Sequence, residues 1–503
     1  MDEMMQSLQK QTDLNIREKA NLIWEIATHL VGLFKPHEYG KVILPMTVLK
    51  RFDDALAPTK KAVLDKYEEL QTKHVVNNVL DASLCKESGM SFYNRSKFDF
   101  AKLVADSDNI EANFEDYLSG FSDNVKDIIT KFKFADTVKT MADGNVLFLV
   151  IQEFNSRKGD MSPDKITSAD MGYIFEELIR KFSESYNETA GAHFTSRDII
   201  YLMTELLIAP EKDEIVTEGC FKTAYDMTMG TSQMLGCLTE RIKAINPNAE
   251  LTCFGQELNE ETYAIAKADM LIKGGNVSGM KQGDTLSDDA FEGYEFDYII
   301  SNPPFGIDWK KDKAYVENEA KLGYSGRFGP GLPAVSDSQM LFLLNGVKKL
   351  KEGCGRMAII QNGSSLFTGD AGSGASEIRK YLITGDLVEA IIQLPNDLFY
   401  NTGIATYIWV ISKNKAVHRL GKIQLIDASK CFVKRRKNIG NKRVDLSDEC
   451  IAMIINAYNA FEDGEHVSGG LKVESKVREN NFFGYTKVTV ETPITDENGK
   501  PVL

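Results

Sequence analysis

The chain has 503 residues, 43% of them hydrophobic, and a formal net charge of −14. This length suggests about three domains with a large core, and the charge argues against a protein that holds nucleic acid over its whole surface. No apolar run reaches transmembrane length, and the N-terminus MDEMMQSLQKQTD is unlike a signal peptide. Seven cysteines without a CxxC pair favour reduced thiols in a cytoplasmic protein, and the six scattered histidines predict no metal site.

The first 160 residues carry the pattern of amphipathic helices. In residues 14–34, apolar side chains recur at spacings of three and four. Helical patterns return in VILPMTVLKRFDDAL, NVKDIITKF and NVLFLVIQEF, with Asn- and Ser-containing breaks between them. We therefore predict an all-α N-terminal domain over residues 1–160, and this part shows no catalytic signal.

After Thr223, short apolar runs alternate with longer amphipathic stretches such as EETYAIAKADMLIKG and SQMLFLLNGVKKLKEG. Alternating strands and helices predict an α/β fold with a mostly parallel sheet covered on both faces. Two Gly-rich polar stretches, at about 306–336 and 363–376, are long enough to be functional or mobile loops. The short runs are TAYDM, LTCFGQEL, FDYIISN, RMAIIQN, LVEAIIQL and ATYIWVIS.

A basic segment follows the last of these runs. Between Lys413 and Arg443 there are eleven Lys or Arg residues and a single acid, Asp427. Such a segment is either a solvated loop or a phosphate-facing patch on an otherwise acidic body. The end of the chain, ITDENGKPVL, has the composition of a surface tail.

Three acidic residues follow successive predicted strands. Asp226 ends the first strand and leads into DMTMGTSQML, in which Gly230 would let the backbone approach a ligand closely, although a simple strand–helix turn also explains this stretch. Glu257 ends the second strand, and a carboxylate at this position typically accepts hydrogen bonds from ribose hydroxyls. Asp284, in GDTL, follows the third strand, where the adenine ring of a cofactor would lie. Together they predict a nucleoside site at one edge of the sheet.

The missing motifs narrow the cofactor class. The chain has no GxGxxG fingerprint of nicotinamide or flavin enzymes and no GxxxxGK[ST] phosphate loop. What remains is a nucleoside cofactor without a pyrophosphate, and S-adenosylmethionine fits that description.

The fourth strand runs into SNPPF, residues 301–305. Proline cannot donate to a sheet, so Pro303 and Pro304 end the strand and hold Asn302 at its tip. An Asn oxygen and a backbone carbonyl can accept both N–H bonds of an exocyclic base amine, and Phe305 offers a ring on which a flipped base can stack. A strand-ending turn is the simpler interpretation of Asn-Pro alone.

These motifs resemble the DNA amino-methyltransferases, which carry [DNS]PP[YFW], and more narrowly the modification subunit of type I restriction–modification systems. The resemblance covers nearly the whole chain. It is carried also by FKPHEYGKVILPMTVLKRFD from residue 34, GAHFTSRDIIYLM at 191–203, NGSSLFTGDAGSGASEIRKYLI at 362–383 and LPNDLFYNTGIATYIWV at 394–410.

The resemblance implies an S-adenosylmethionine-dependent methyltransferase fold, a mostly parallel seven-stranded doubly wound sheet, with a catalytic domain over 161–415. Residues 416–503 would then contact DNA or other subunits. Two departures stand out: DMTMGTSQ replaces the usual DPxCGTGG, where the bulk of Gln233 would narrow the cofactor mouth, and Ser196 replaces a usual proline. The implied base-amine residues are Asn302, Pro303, Pro304 and Phe305, and the implied cofactor residues are Phe194, Thr195, Ser196, Asp226, Gly230, Thr231, Ser232, Glu257 and Asp284.

The order of the motifs is that of the gamma group of these enzymes. Only about 90 residues follow the last predicted strand, too few for a domain that reads DNA sequence. The resemblance therefore implies a separate specificity subunit, two copies of this chain per complex, a motor–nuclease subunit and double-stranded DNA bearing the target adenine. The alternatives are a catalytically impaired assembly module, a self-sufficient gamma-type DNA enzyme and a protein-glutamine methyltransferase, which also uses NPP.

Overall fold

The first amphipathic helix, predicted over residues 14–34, ends earlier than predicted: residues 25–30 are helical with Ile26 and Leu30 buried, whereas residues 31–34 form a turn. Within the described ranges, no helix is long and apolar enough to cross a membrane. The computed structural model describes residues 19, 21–22, 25–73, 77–166, 170–171, 174–175, 178, 195–272, 275, 277–304, 306–400, 402–439, 441–486, 488, 490, 496–498 and 500.

The N-terminal region is helical, as predicted. Its central helix, Gly40–Leu56, is buried along most of its length because its residues are apolar on nearly every face. Aromatic rings fill the space around it, with Phe52 and Phe92 in edge contact at 4.8 Å between ring centroids. The helices are α1 Gly40–Leu56, α2 Lys60–Thr72, α3 Asn77–Ser88, α4 Phe100–Ala105, α5 Ile110–Ser119, α6 Asp123–Lys131, α7 Phe134–Asp143 and α8 Leu147–Phe154.

The second region is a sheet, and each of the six short apolar runs overlaps one of its strands. In the part of the chain that the structure describes, ten strands pair in the order β11-β12-β8-β6-β7-β5-β4-β1-β2-β3, and β9 pairs with β10 as a separate antiparallel hairpin. The strands are β1 Phe221–Asp226, β2 Glu250–Glu257, β3 Met280–Gln282, β4 Tyr298–Ser301, β5 Arg356–Asn362, β6 Val388–Gln393, β7 Thr406–Ser412, β8 Lys422–Lys430, β9 Val433–Ile439, β10 Lys442–Asp445, β11 Gly464–Ser468 and β12 Leu471–Glu479.

The pairing confirms the predicted fold class. Strands β1 to β5 run parallel to one another, and β7 lies antiparallel between β5 and β6. Parallel neighbours place the ends of β1, β2 and β4 at one edge, where open α/β sheets bind ligands. The helices that follow the N-terminal region are α9 Arg197–Ile208, α10 Lys212–Ile215, α11 Gln233–Ile245, α12 Glu260–Ile272, α13 Lys313–Ala320, α14 Gln339–Lys349, α15 Ser364–Phe367, α16 Gly374–Thr384 and α17 Asp448–Ala460.

Helices cover both faces of the sheet. One apolar core lies between the sheet and α9, α11 and α17, and a second lies between the opposite face and α14 and α16. The strands of the middle are buried on both sides; Tyr298, Ile299 and Ile300 of β4, for example, are fully buried. This explains why those strands appear in the sequence as continuous apolar runs and not as alternating ones.

Three strands extend the predicted seven-stranded sheet. β8 pairs parallel to β6, β12 antiparallel to β8, and β11 antiparallel to β12. The apolar pattern missed β8 because Gln424 lies in its buried centre, where its Nε2 donates to the Ala457 carbonyl at 2.7 Å and to Ser475 Oγ at 2.9 Å. These partners are distant in sequence, so no local pattern reveals them. The proposed domain bounds 1–160, 161–415 and 416–503 stay predictions.

Helix α12 joins the two regions. It follows β2 in the chain, but its buried Ala264, Ile265, Ala268 and Leu271 belong to the core of the N-terminal helices. Beside this contact, Lys267 Nζ donates to Asp127 Oδ2 of α6 at 2.6 Å. The strand that carries Glu257 is therefore connected directly to the N-terminal region.

Candidate active site

A cavity of about 770 Å³ lies at the carboxyl ends of β1, β2 and β4. The predicted residues come from distant parts of the chain, and the strand order brings most of them together here because parallel strands end at the same edge. Those that line the cavity are Thr195, Asp226, Gly230, Thr231, Glu257, Asp284, Asn302 and Pro304.

Five predicted residues are placed otherwise. Pro303 and Ser232 are buried but do not line the cavity. The Ser196 hydroxyl is bonded to the Asp198 carboxylate and also accepts a hydrogen bond from Lys442 Nζ at 2.9 Å. Phe194 and Phe305 lie outside the described residues. The roles of all five stay predictions.

Asp226 ends β1 with its carboxylate buried. Its Oδ1 accepts hydrogen bonds from Ser301 Oγ at 2.7 Å and from the Thr228 N–H at 3.0 Å. Burial raises the pKa of the Asp226 carboxyl to about 7, against the opposing effect of these two hydrogen bonds. A positively charged ligand nearby would favour the ionised form.

Glu257 ends β2 and holds the turn that follows β1. Its Oε2 accepts the Gly230 N–H at 2.9 Å and its Oε1 accepts the Asn259 N–H at 2.8 Å. Burial raises the pKa of the Glu257 carboxyl, although the backbone N–H groups of Asn259 and Gly230 oppose the shift. Each carboxylate oxygen keeps a further lone pair for a ligand.

The turn between β1 and α11 keeps a left-handed backbone at Gly230, with φ of 53°, and at Ser232, with φ of 67°. Ser232 stands where the resembled family usually has glycine, so a side chain occupies a conformation that disfavours one. The Ser232 hydroxyl is buried and has no hydrogen-bond partner among the residues that the structure describes. Of the other departures, Gln233, Met227 and Met229 all line the cavity.

Asp284 follows β3 and forms an ion pair with Lys311, which also lines the cavity. Its second oxygen accepts the Leu286 N–H at 3.0 Å. Arg327 contacts the turn after β3 and donates to the Thr285 carbonyl at 2.6 Å and to the Leu286 carbonyl at 3.0 Å. The stretch at 306–336, predicted as a loop, contains helix α13 and is anchored through Arg327 to the turn that contains Asp284.

Asn302 follows β4 and is 7% exposed. Its Nδ2 donates to Thr195 Oγ1 at 2.8 Å, whereas its Oδ1 is buried and accepts no hydrogen bond from any described residue. A buried acceptor without a donor costs about 1–3 kcal/mol, and such groups concentrate at functional sites. The amide is therefore oriented so that its oxygen is available to a donor from a ligand.

Sequence analysis missed several residues that shape this site. Ser301 could have been found from its position directly before Asn302. Lys311 and Arg327 carry no such signal, because a basic residue in a polar loop is usually solvated and their partners lie far away in sequence.

The family model described as N-6 DNA Methylase matches residues 167–498, and the model described as HsdM N-terminal domain matches residues 19–154. The chain belongs to the N-6 DNA methylase family. The predicted resemblance to type I modification subunits is confirmed, and the helical region that precedes the catalytic sheet of this methylase corresponds to the HsdM N-terminal domain.

Individual relatives agree with the family match. The methylase is 25% identical to the type I restriction enzyme MjaIX methylase subunit of Methanocaldococcus jannaschii, over 94% of this chain and 80% of that one. It is 26% identical to the MpnII methylase subunit of Mycoplasma pneumoniae, over 77% and 65% of the two chains. Among solved structures, a type I methyltransferase subunit from Streptococcus thermophilus superposes with a TM-score of 0.69 at 22% identity, covering 93% of this chain and 96% of that one, and shows the same fold.

Proposed function

We propose that the methylase is the modification subunit of a type I restriction–modification complex and transfers a methyl group from S-adenosylmethionine to N6 of a flipped adenine in double-stranded DNA. The observation that carries this proposal is the Asn302 amide. It is held at the tip of β4 with its oxygen buried and unpaired, beside a cavity that contains two buried carboxyl groups.

The cavity fits the cofactor in size and charge. About 770 Å³ falls within the range of small-molecule sites. Asp226 and Glu257 place two carboxyl groups where the cationic amino-acid part and the ribose hydroxyls of S-adenosylmethionine would lie, and Gly230 lets the backbone approach them. When bound, the cofactor supplies a methyl group on a positively charged sulfur. The residues of this chain bind and orient it.

Asn302 prepares the base amine. An adenine N6 lone pair is delocalised into the ring, so the amine is a poor nucleophile until its two N–H groups donate to fixed acceptors. Asn302 Oδ1 and the carbonyl of Pro303 are the acceptors proposed here, because proline limits the directions that this carbonyl can take. Phe305 is proposed to stack on the flipped base. Transfer would break the carbon–sulfur bond of the cofactor and leave a neutral thioether, and N6 would release one proton to water.

The proposed partners rest on the net charge and on the structure that the residues after β7 form. In this part of the chain, β8, β11 and β12 extend the sheet and α17 packs against it, so target choice is assigned to a separate specificity subunit, with two copies of this chain and a motor–nuclease subunit in the complex. The net charge of −14 opposes tight binding of DNA by the methylase alone. The β9–β10 hairpin exposes Lys434 and Arg436 and is the proposed phosphate contact.

The test is to mix the methylase with its specificity subunit, supply S-adenosylmethionine labelled in the methyl group, and digest the DNA to nucleosides for mass spectrometry. We expect labelled N6-methyl-2′-deoxyadenosine in the digest, and sequencing of the undigested DNA should find the modified adenine at one sequence context. Labelled N4-methylcytosine would overturn the adenine assignment. Calorimetric titration of the methylase with S-adenosylmethionine tests the cofactor separately, and an absence of binding would support the impaired assembly module.

A further inference from the structure

Lys442, at the start of β10, is a lysine in the protein interior, with a side chain 1% exposed. Its Nζ donates to Ser196 Oγ at 2.9 Å, to the Leu398 carbonyl at 3.0 Å and to Asp198 Oδ2 at 3.1 Å, and it lies 3.2 Å from Asp445 Oδ1. A buried ammonium is tolerated only when its protons are all bonded and its charge is balanced. Lys442 meets both conditions through a segment that is about 240 residues away in sequence.

That segment is the beginning of α9. Ser196 is the residue directly before the helix, and its hydroxyl bonds to the Asp198 carboxylate in the first turn. Asp198 also accepts the Leu446 N–H at 2.8 Å. The N-terminal end of α9 is therefore fixed to β10 and to Leu446 directly after it by an ion pair and two further hydrogen bonds.

Thr195 connects this anchor to the site. Its hydroxyl oxygen accepts Asn302 Nδ2 at 2.8 Å, the contact that leaves Asn302 Oδ1 unpaired. An amide turned by 180° would present N–H groups, which donate and cannot accept, to an amine. Thr195 is thus the described residue whose hydrogen bond holds the Asn302 side chain in place, and Thr195 is adjacent to the residue that Lys442 holds.

We propose that Lys442 is a positioning residue for methyl transfer: through Ser196 and Asp198 it fixes the start of α9 so that Thr195 orients the Asn302 amide with its oxygen toward the target amine. This inference rests on the proposed function. It assigns to the basic segment at 413–443 an internal role in addition to the phosphate contact proposed for the exposed hairpin residues.

A purely structural role for Lys442 makes a different prediction, and the chain offers a matched control. Lys415 is equally buried, donates to Asp386 Oδ1 at 2.6 Å and to the Lys422 carbonyl at 2.9 Å, and has no contact with the residues of the cavity. Replacing either lysine with methionine removes a buried ion pair at similar volume. The two variants should lose comparable stability, and only one of them should affect Asn302.

The experiment compares Lys442→Met and Lys415→Met in the complex with the specificity subunit, in single-turnover methyl transfer at saturating cofactor and DNA. We expect about 10- to 100-fold slower transfer for Lys442→Met, because small displacements of a reacting group cost that much, and nearly unchanged transfer for Lys415→Met. Saturation separates the rate from any change in cofactor affinity, and urea midpoints measure the stability of each variant.

A double-mutant comparison tests the route through Thr195. Thr195→Val removes the acceptor of Asn302 Nδ2 at similar shape. If Lys442 acts through Thr195, the double variant transfers no more slowly than the slower single variant. Losses that multiply would overturn the proposal, as would a Lys442→Met rate equal to that of Lys415→Met.

Should Lys442→Met fail to fold, Ser196→Ala decides in its place, because it removes the hydroxyl and keeps the ion pair between Lys442 and Asp198. Several-fold slower transfer supports the proposal, and an unchanged rate overturns it. An inactive wild-type complex would instead contradict the proposed function, so the two failures are distinguishable.

Discussion

The candidate site has two parts: the proposed cofactor half around Asp226 and Glu257, and the proposed base half around Asn302. The two parts are held in place differently. On the cofactor half, Asp226 and Glu257 accept hydrogen bonds from residues of their own or neighbouring strand tips, so their positions follow from the sheet itself. On the proposed base half, Asn302 Nδ2 donates to Thr195, which lies 107 residues away in sequence, and Asn302 Oδ1 accepts no hydrogen bond from the described residues. The difference supports the proposal of a preorganised cofactor site beside a base site whose hydrogen bonding the substrate would complete.

The strongest test of this comparison is Asn302→Ala. Loss of one preorganised acceptor costs about 100- to 1000-fold in rate, and cofactor affinity should change by only a few fold because the amide belongs to the base half. Single-turnover transfer and calorimetry measure the two quantities. The control is Asn246→Ala, which removes a buried amide bonded to the Ile215 and Thr217 carbonyls, remote from the site, and should leave transfer intact. Equal rates for the two variants would remove Asn302 from the chemistry.

Glu257→Ala should do the opposite and weaken the binding of S-adenosylmethionine. Hydrogen bonds to a charged group contribute about 1.5–3 kcal/mol each, which corresponds to a loss in affinity of more than tenfold. Glu250→Ala is the matched control, since Glu250 is exposed at the other end of the same strand. An isothermal titration in which both variants bind as the wild type does would exclude Glu257 from the cofactor half.

The pH dependence of cofactor binding should report Asp226. Its carboxyl has a pKa of about 7 in the folded protein, so part of the population is protonated at neutral pH. A cationic ligand lowers that pKa, the proton is released on binding, and affinity should rise between pH 6 and 8 by at most about tenfold per pH unit. Asp226→Asn should bind more weakly and lose this slope. A slope that persists in the variant would assign the proton to another group.

The free energy of unfolding should also depend on pH through Asp226, but in the opposite direction: stability should fall as pH rises. Because burial raises the pKa of Asp226 above its unfolded value, the folded state holds a proton that the unfolded state has lost between about pH 4 and 7. The contribution of Asp226 to the free energy of unfolding is therefore present below pH 4 and lost as pH rises through 7. As pH rises from about 4 to 7, the urea midpoint of the wild type should therefore fall relative to that of Asp226→Asn.

The smallest expected effect concerns Ser232 on the cofactor half. Ser232→Gly relieves a left-handed backbone at a non-glycine residue and removes a buried hydroxyl without a partner, so it should stabilise the fold by about 1 kcal/mol. Ser373→Gly is the control: Ser373 has φ of −73° and caps α16 through the Ser376 N–H, so its loss should destabilise by a few tenths of a kcal/mol. Chemical denaturation distinguishes the two signs.

The meeting of Asp226, Glu257 and Asp284 at one cavity could be predicted from sequence because its signals are local, while their roles toward the cofactor stay predictions. Asp226, Glu257 and Asp284 each follow an apolar run, and parallel strands bring such ends together whatever lies between them. SNPPF was equally visible, since two prolines after a strand leave few conformations. The roles of Phe194 and Phe305 stay predictions.

The remaining structure depends on contacts between distant residues. Gln424 interrupts the apolar pattern of β8. It can nevertheless be buried, because α17 and β12 supply its hydrogen-bond partners. Lys442 is one of eleven basic residues in its segment, and nothing near it in sequence shows that it is buried. Both residues are polar groups satisfied in the interior, which a pattern based on hydropathy assigns to the surface.

Helix α12 has a consequence for how the molecule opens. This helix starts three residues after Glu257, but its Ala264, Ile265, Ala268 and Leu271 pack into the core of the N-terminal region. Local unfolding follows such packing, so α12 should exchange its amide hydrogens together with α1 and α6, as one cooperative unit. A ligand held by Glu257 is then expected to slow exchange in helices that it never touches.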